Sequence, residues 1–469
     1  MNDLETDNKF LKKSALFNVL GTVFKISGPL LTVLLARTFG ATEFGIFVAT
    51  QALLLTIARS ATLGLDKGLH WYLPQNKLRK RSAYEGIMES FWITIFISIV
   101  ATIIIFIGSW ASFFSKEIPY YAVSLVFYSG TYILSNSSEG NRKPWNAILI
   151  NDFLVAVLSP LVSIILFFLN VPHSLPLGLL FGQVGGFLMH SVAVRRQFKS
   201  MPIFPGKRVT KELLYYSVPI GLTVLVGNVL MRSTLWMVLF FLGAEAAGVY
   251  ALMITISNGL QTIRNGFNPI LIPVVSQMDE ERLKTDIKPI FSYCISMATL
   301  IQIVIGFFIV LFPEEIMSIA GKNFVVQPKA LGILLFFQLT ATFFGMVNTI
   351  IDGIGKSVVN LKISLLSLAL SLTFGILLIP SYGLFGAALS MLIPGIISSG
   401  YSNIYLFKRN LRLYSSKLWV ELLWITALLT LYVVLNAQNI HLEMIQKIAL
   451  YGGVLFVLGM QFLFYKRKF

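Results

Sequence analysis

The stretch FWITIFISIVATIIIFIGSWASFF, residues 91 to 114, contains no charged side chain. A helix rises about 1.5 Å per residue, so about 20 apolar residues cross a bilayer core about 30 Å thick, with every backbone N–H and C=O bonded within the segment. Runs of this kind recur along the whole chain, and no gap between them could hold a separate soluble domain. Fourteen spans can be drawn, at roughly 14–36, 44–66, 87–114, 120–138, 146–169, 175–194, 213–240, 246–268, 290–312, 328–350, 360–379, 384–407, 417–436 and 445–465. The pattern predicts an all-α polytopic membrane protein with about 14 transmembrane helices. Composition agrees, with 56% apolar and only 12% charged residues, well away from soluble globular usage.

Polar residues precede the first span, which is too long and too polar for a signal-peptide core, so the N-terminus is expected to be retained. The single cysteine, Cys294, excludes an internal disulfide, and the four histidines are scattered without ligand spacing. No metal and no cofactor is expected. A net charge of +16 could suggest nucleic acid. Most Lys and Arg, however, fall in alternate loops and tails, in clusters such as KLRKR at 77–81, RRQFKSMPIFPGKR at 195–208 and YKRK at 465–468. That asymmetry reads as membrane orientation, with both termini cytoplasmic and the clusters facing anionic lipid. No nucleic-acid partner is expected.

The connection ARTFGATEFGIF, residues 36–47, is written again as FFLGAEAAGVYA, residues 240–251: Gly40 falls on Gly243, Ala41 on Ala244, Gly45 on Gly248 and Phe47 on Tyr250. Ser14 and Ser217 share this spacing. Later, VPHSLPLGLLFG and IPSYGLFGAALS set Pro172 on Pro380 and Gly178 on Gly386. The repeat is therefore six spans long, and an even number makes it parallel, related by an axis along the membrane normal. The expected organisation is an N-terminal lobe at 1–200 (spans 1–6), a C-terminal lobe at 201–412 (spans 7–12), and two extra helices at 413–469. Two such lobes enclose a cleft that alternating access would open to either side.

Charges inside the spans are costly, about 2.5 to 3.5 kcal/mol each at the membrane centre. Four are basic: Lys25, Arg59, Arg232 and Arg264, in spans 1, 2, 7 and 8, the pairs that the repeat matches. Polar stripes accompany them. Asn18, Thr22, Lys25, Pro29 and Thr32 share one face of span 1; Ser217, Gly221, Asn228 and Arg232 share one of span 7; Ser257, Gln261, Arg264 and Asn268 share one of span 8, with Asn258 and Asn265 beside them. Snorkelling of the arginines to the cytoplasmic interface is one reading. A basic path holding an anionic cargo is the other, and diphosphate suits guanidinium geometry. Lys25, Arg59, Arg232, Arg264, Asn18, Asn228, Asn258 and Gln261 are the candidate substrate-binding residues. Gly28 and Pro29 in span 1 and Pro219 in span 7 are candidate hinges, since proline removes a helical hydrogen bond.

LLARTFGATEFGIF, a second span ending LGLDKGLHWYLP, FLGAEAAGVYALMITISNGL and LIPSYGLFGAALS together resemble signatures of the polysaccharide-exporter branch of the multidrug, oligosaccharidyl-lipid and polysaccharide exporter superfamily. The similarity covers about residues 10 to 410. It implies a Wzx-like flippase moving an undecaprenyl-diphosphate-linked oligosaccharide, a polysaccharide, O-antigen or capsule precursor, from the cytoplasmic to the external leaflet. Related lipid II flippases use basic residues of helices 1, 2 and 8 in a cationic cavity, and Lys25, Arg59 and Arg264 match these in kind; Arg232 is added from the sequence. The implied partners are the lipid-linked oligosaccharide, the bilayer, and a glycan polymerase or glycosyltransferases of the same pathway. The implied location is a bacterial plasma membrane or an archaeal cell membrane.

Two alternatives remain at this stage. A cation-coupled drug antiporter of the same superfamily would more naturally place acids deep in its cavity. A lipid-linked glycosyltransferase or polymerase would need catalytic groups in a sizeable external loop, and the longest here, roughly 313–327, has only Glu314 and Glu315 as acids. A Gly-rich phosphate loop is absent from the sequence, so an ion gradient, the membrane potential or product removal is the expected drive.

Overall fold

The computed structural model describes the chain except residues 1, 76–79, 112–116, 142–143, 198–209, most positions between 268 and 285, 355, 416–417, 439–441 and 467–469. For 2–27, 80–83, 460–466 and several single positions it describes the backbone without the side chain. No strand occurs among the described residues, and the described residues of all fourteen expected spans fall on helices apart from short turns. The principal helices are α1 (Asn2–Ala61), α2 (Leu65–Gln75), α3 (Lys80–Trp110), α4 (Ser124–Gly140), α5 (Ala156–Phe168), α6 (Ser174–Gln197), α7 (Thr210–Leu242), α8 (Ala244–Asn265), α9 (Ile287–Leu311), α10 (Lys329–Phe343), α11 (Ser357–Phe407), α12 (Trp419–Ala437) and α13 (Met444–Lys466). A π-helical turn, Ile148–Val155, leads into α5.

Among the described residues nine stretches are long and apolar enough to cross a membrane. Two of these lie on helices that each carry two of the expected spans. α1 covers the first two spans and α11 the eleventh and twelfth, each interrupted by one glycine: Gly40 at φ 78°, ψ 170° and Gly383 at φ 60°, ψ −137°. After the second break, Gln327 Oε1 accepts from the Phe385 N–H at 3.2 Å, satisfying a donor that the restarted helix leaves open.

By contacts the chain divides into two units, Met1–Phe39 with Ile46–Arg232, and Gly40–Gly45 with Ser233–Phe469. In the first, α4 packs against α2, α3 and α6. The short helix α2 is amphipathic: Leu65, Leu69, Tyr72 and Leu73 join Tyr84, Ile87, Met88, Ile133, Leu134, Val194 and Leu213 in one buried cluster. α5 and α6 meet so closely that a Cβ on Gly178 would lie 2.0 Å from Ser163 Oγ. The turn after α1 and the first turn of α2 meet α7 in the same way, since a Cβ on Gly221 would lie 2.7 Å from the Gly64 nitrogen and one on Gly68 would lie 1.9 Å from Ser217 Oγ. Ser217 and Gly221, part of the polar stripe expected to line a cleft, are thus engaged in helix packing.

In the second unit α10 takes the central place, against α8, α9 and α11, while α12 and α13 pack on α9. The repeated connection is explained here. Gly40 and Gly243 adopt nearly the same backbone, φ 78°, ψ 170° and φ 89°, ψ −179°, a region open essentially to glycine alone. Gly45 and Gly248 then close on the opposite copy: a Cβ on Gly45 would lie 1.9 Å from the Ala244 carbonyl oxygen, and a Cβ on Gly248 would lie 1.9 Å from that of Ala41. The two copies of the turn therefore exchange the same contact, as a local two-fold arrangement requires.

Candidate functional site

The first unit gathers cations and tyrosines around α4. Its polar face, Tyr128, Tyr132, Ser135, Asn136 and Glu139, follows helical spacing, and each member meets a partner from another helix. Gln51 Nε2 donates to Tyr128 Oη at 3.1 Å. The Arg59 guanidinium carbon lies 4.5 Å from the centre of the Tyr132 ring, a cation–π contact worth about 0.5 to 2 kcal/mol. Asn151, on the π-helical turn, donates from Nδ2 to Ser135 Oγ at 2.8 Å, and its Oδ1 is 3.0 Å from His190 Nε2. Lys67 Nζ donates to Asn136 Oδ1 at 2.9 Å. His70 Nε2 is 3.5 Å from Glu139 Oε2, an ion-pair distance rather than a hydrogen bond.

Arg59 occupies the last turn of α1, where the helix dipole favours a cation. Arg232, half-buried on α7, is within electrostatic reach of Arg59, Tyr128 and Tyr132. Its Nη1 donates to Asn228 Oδ1 at 2.7 Å, one turn earlier on the same helix. Among the described residues neither arginine has a carboxylate partner. Two guanidiniums with neutral neighbours inside a membrane protein form an electrostatically unbalanced site, with N–H donors free for an oxyanion. Asp66, the acid nearest in sequence to Arg59, is buried and accepts instead from Thr62 Oγ1 at 2.9 Å.

Of the other expected site residues, Asn18 and Lys25 lie on the part of α1 whose side chains fall outside the described residues, as do the basic clusters at 77–81 and 465–468. Gly28 and Pro29 are half-buried, and Thr32 Oγ1 donates to the Gly28 carbonyl at 2.8 Å. Along α1 the dihedrals leave the helical region at Gly40 rather than at Pro29; Pro219 is exposed within α7. Arg264 stands in the last turn of α8 in the second unit, half-buried, with no side-chain partner among the described residues. On the same helix Asn258 Oδ1 accepts from Gln338 Nε2 at 3.4 Å, and Gln261 is half-buried. Sequence reasoning passed over Gln51 and Lys67; a lone polar residue in ATQALLL and the lysine in LGLDKGLH were the available signals.

Outside the spans, the His70 imidazole is held below its ordinary value, first by burial and then by the Lys67 ammonium, with Asp66 and a hydrogen bond to Asn136 pulling the other way.

A chain of paired apolar spans, glycine-closed turns and cations within those spans defines a polytopic helical membrane protein. Solved structures share the fold. A multidrug resistance MATE transporter in an inward-facing conformation superposes with a TM-score of 0.64 at 13% identity, over 87% of this chain and 99% of that one. The lipid II flippase MurJ, inward closed, gives 0.64 at 14% identity over 96% and 99%. A Pyrococcus furiosus transporter of the same superfamily, described by the reverse polarity of its binding pocket, gives 0.61 at 14% over 85% and 96%. Residues 34–327 match a polysaccharide biosynthesis protein family, and the chain belongs to that family, within the polysaccharide-exporter branch. The capsular polysaccharide biosynthesis protein CapF of Staphylococcus aureus is 24% identical over 53% of this chain and 65% of its own length. An uncharacterized membrane protein of Methanocaldococcus jannaschii is 24% identical over 77% and 89%. A second one from that organism is 29% identical over 26% of this chain and only 24% of its own length.

Proposed function

We propose that this protein is a flippase carrying an undecaprenyl-diphosphate-linked oligosaccharide from the cytoplasmic to the external leaflet by alternating access, leaving the cargo chemically unchanged. The observation that carries the reading is the pair Arg59 and Arg232, within electrostatic reach of one another, the first over the Tyr132 ring and the second bonded to Asn228, and neither with a carboxylate partner among the described residues. A drug antiporter would favour acids at such a place. Membership of a polysaccharide biosynthesis family and likeness to a CapF protein support a glycan on the cargo, and likeness to a lipid II flippase fold supports a lipid carrier. On this reading the diphosphate meets Arg59 and Arg232 in turn with Lys25 and Arg264, while Asn18, Asn228, Asn258 and Gln261 offer amides along the path. Residues 1–200, 201–412 and 413–469 act as the two moving lobes and an added pair of helices, flexing at Gly28, Pro29 and Pro219. Both termini are cytoplasmic, and a glycan polymerase or glycosyltransferases act before and after it.

Export of the lipid-linked glycan, measured at matched protein abundance, tests this. Arg59→Ala and Arg232→Ala each remove charge-assisted contacts of about 1.5 to 3 kcal/mol, so export should fall roughly tenfold to a hundredfold. Lysine at either position should restore part of it, keeping charge without the bidentate fork. Near-normal export by both alanine variants would end the diphosphate assignment. Labelling of single cysteines, in a Cys294→Ser background, decides the orientation.

A further inference from the structure

α11 ends in a Schellman turn: the Leu411 N–H donates to the Leu406 carbonyl at 3.1 Å and the Asn410 N–H to the Phe407 carbonyl at 2.9 Å, with Asn410 left-handed at φ 60°. The turn folds the chain back, burying Leu411 and Leu413 and setting Tyr414 against the end of α10. There Tyr414 Oη donates to the Phe343 carbonyl at 3.1 Å and Asn403 Nδ2 to the Phe344 carbonyl at 2.9 Å, satisfying two acceptors that the helix end leaves open. The Tyr414 ring also lies 5.8 Å from that of Phe343 and 5.9 Å from that of Phe291, centre to centre. A groove of about 650 Å³ opens beside this buttress, lined by Phe344, Tyr414 and the α11 residues Ile396, Gly400, Ile404 and Phe407. Spacings of four, four and three residues put these last four on one helical face.

From Ile396 to Phe407 the rise along α11 is about 16 Å, close to the depth of one leaflet in a hydrocarbon core about 30 Å thick. This apolar strip ends in cations. Lys408, Arg409 and Arg412 are exposed there, the Arg409 guanidinium carbon 5.0 Å from the centre of the Tyr405 ring and that of Arg412 5.8 Å from the centre of the Phe407 ring. None of the three pairs with a carboxylate among the described residues: Asp352 accepts instead from Asn360, and Glu421 is buried against Ser296. A helix C-terminus attracts cations by its dipole, which accounts for Lys408 and Arg409 but not for Arg412, beyond the turn. Gly400 is an independent sign. Glycine within a helix is destabilising relative to alanine, and packing does not require it here, since a Cβ on Gly400 would meet no atom within 4 Å. The missing side chain leaves room in the groove.

We propose that this groove binds a single anionic phospholipid, with one acyl chain lying over Gly400 and the phosphate held by Arg412, Lys408 and Arg409 beside it. The two partners are complementary from end to end. Ile396, Ile404 and Phe407 offer apolar surface to the alkyl chain, and the guanidinium N–H groups offer donors to the phosphate oxygens. A second copy of this chain is a poorer occupant, because a two-fold pairing in the same membrane orientation would set these cations against their own counterparts. The site uses none of the residues assigned to the cargo and stands independently of that assignment.

Native mass spectra of the purified protein, released from detergent holding equal amounts of dioleoyl phosphatidylglycerol and dioleoyl phosphatidylcholine, test the site without any cargo. The expected result is a single retained phosphatidylglycerol, in preference to phosphatidylcholine. Arg412→Gln should lower its retention about fivefold, the worth of one basic residue near a membrane surface. Gly400→Phe keeps every cation but fills the groove, so it should abolish the preference. Ile396→Trp, one turn away, should do the same and decides alone if Gly400→Phe does not fold. Glycerol phosphate, a headgroup without chains, should leave the adduct in place when added in excess. A preference that survives either filling variant reports only the attraction of a basic surface for anionic lipid and overturns the proposal. Equal retention of the two lipids, displacement by glycerol phosphate, or a dimer in place of the lipid adduct overturns it as well.

Discussion

Arg59 and Arg264 hold nearly equivalent places in the repeat, each in the last turn of its helix, yet their surroundings differ. Arg59 lies over Tyr132 and within reach of a second arginine, whereas Arg264 has no hydrogen-bond, ion-pair or ring partner among the described residues. The glycine turns behave in the opposite way: Gly40 and Gly243 share one backbone conformation, and Gly45 and Gly248 make one contact in both directions. Duplication has preserved what the backbone requires and let the side chains around the cations diverge. Steric demand explains the asymmetry. A glycine site tolerates nothing else, while a cation on a helix end is partly stabilised by the dipole whatever its neighbours are.

The largest expected effect lies with the preserved element. Gly45→Val and Gly248→Val would each drive a side chain into a carbonyl oxygen 1.9 Å from its own Cβ, so both should nearly abolish folded, monodisperse protein in size-exclusion chromatography. A variant tolerated at one glycine and not at the other would break the reciprocity.

Next come the diverged cations. Arg59→Lys loses planar stacking on Tyr132, about 0.5 to 2 kcal/mol, and export should fall roughly twofold to thirtyfold. Arg264→Lys should fall less, having no geometry-specific contact to lose. Equal losses would show that both arginines meet the cargo alike and that the tyrosine is incidental. Smaller again is Tyr132→Leu, expected to lower export severalfold by removing the aromatic face, while Tyr132→Phe keeps the ring and stays near native.

The smallest effect concerns His70. Its native pKa is lowered below 6.5 by burial and Lys67, so the unfolded chain binds its proton more readily. This contribution to stability is complete above about pH 6.5 and is lost as pH falls through the lower native value. His70→Gln should therefore flatten the decline in Tm between about pH 7 and pH 5. An unchanged slope would place the acid sensitivity elsewhere.

Much of this was legible before any coordinates. Uncharged runs of bilayer length can become little else than spanning helices, because lipid offers no partner for an open backbone. The paired glycines were visible as well, since a residue chosen for its lack of a Cβ leaves a mark in the sequence. The four intramembrane cations stood out by their cost. Tyr128, Tyr132, Ser135 and Glu139 share one face of α4 by spacing alone, but spacing does not say what that face meets.

By itself, then, the sequence determined the helical class, the six-span duplication and the positions where backbone must approach backbone, all properties that act within one segment or through strict steric exclusion. Tertiary structure alone decided that Tyr132 lies on Arg59, that Ser217 and Gly221 serve packing, and that Glu421 of WVELLW faces Ser296 from 125 residues away. Such pairings depend on which helix faces meet, and helical periodicity names a face without naming what it meets.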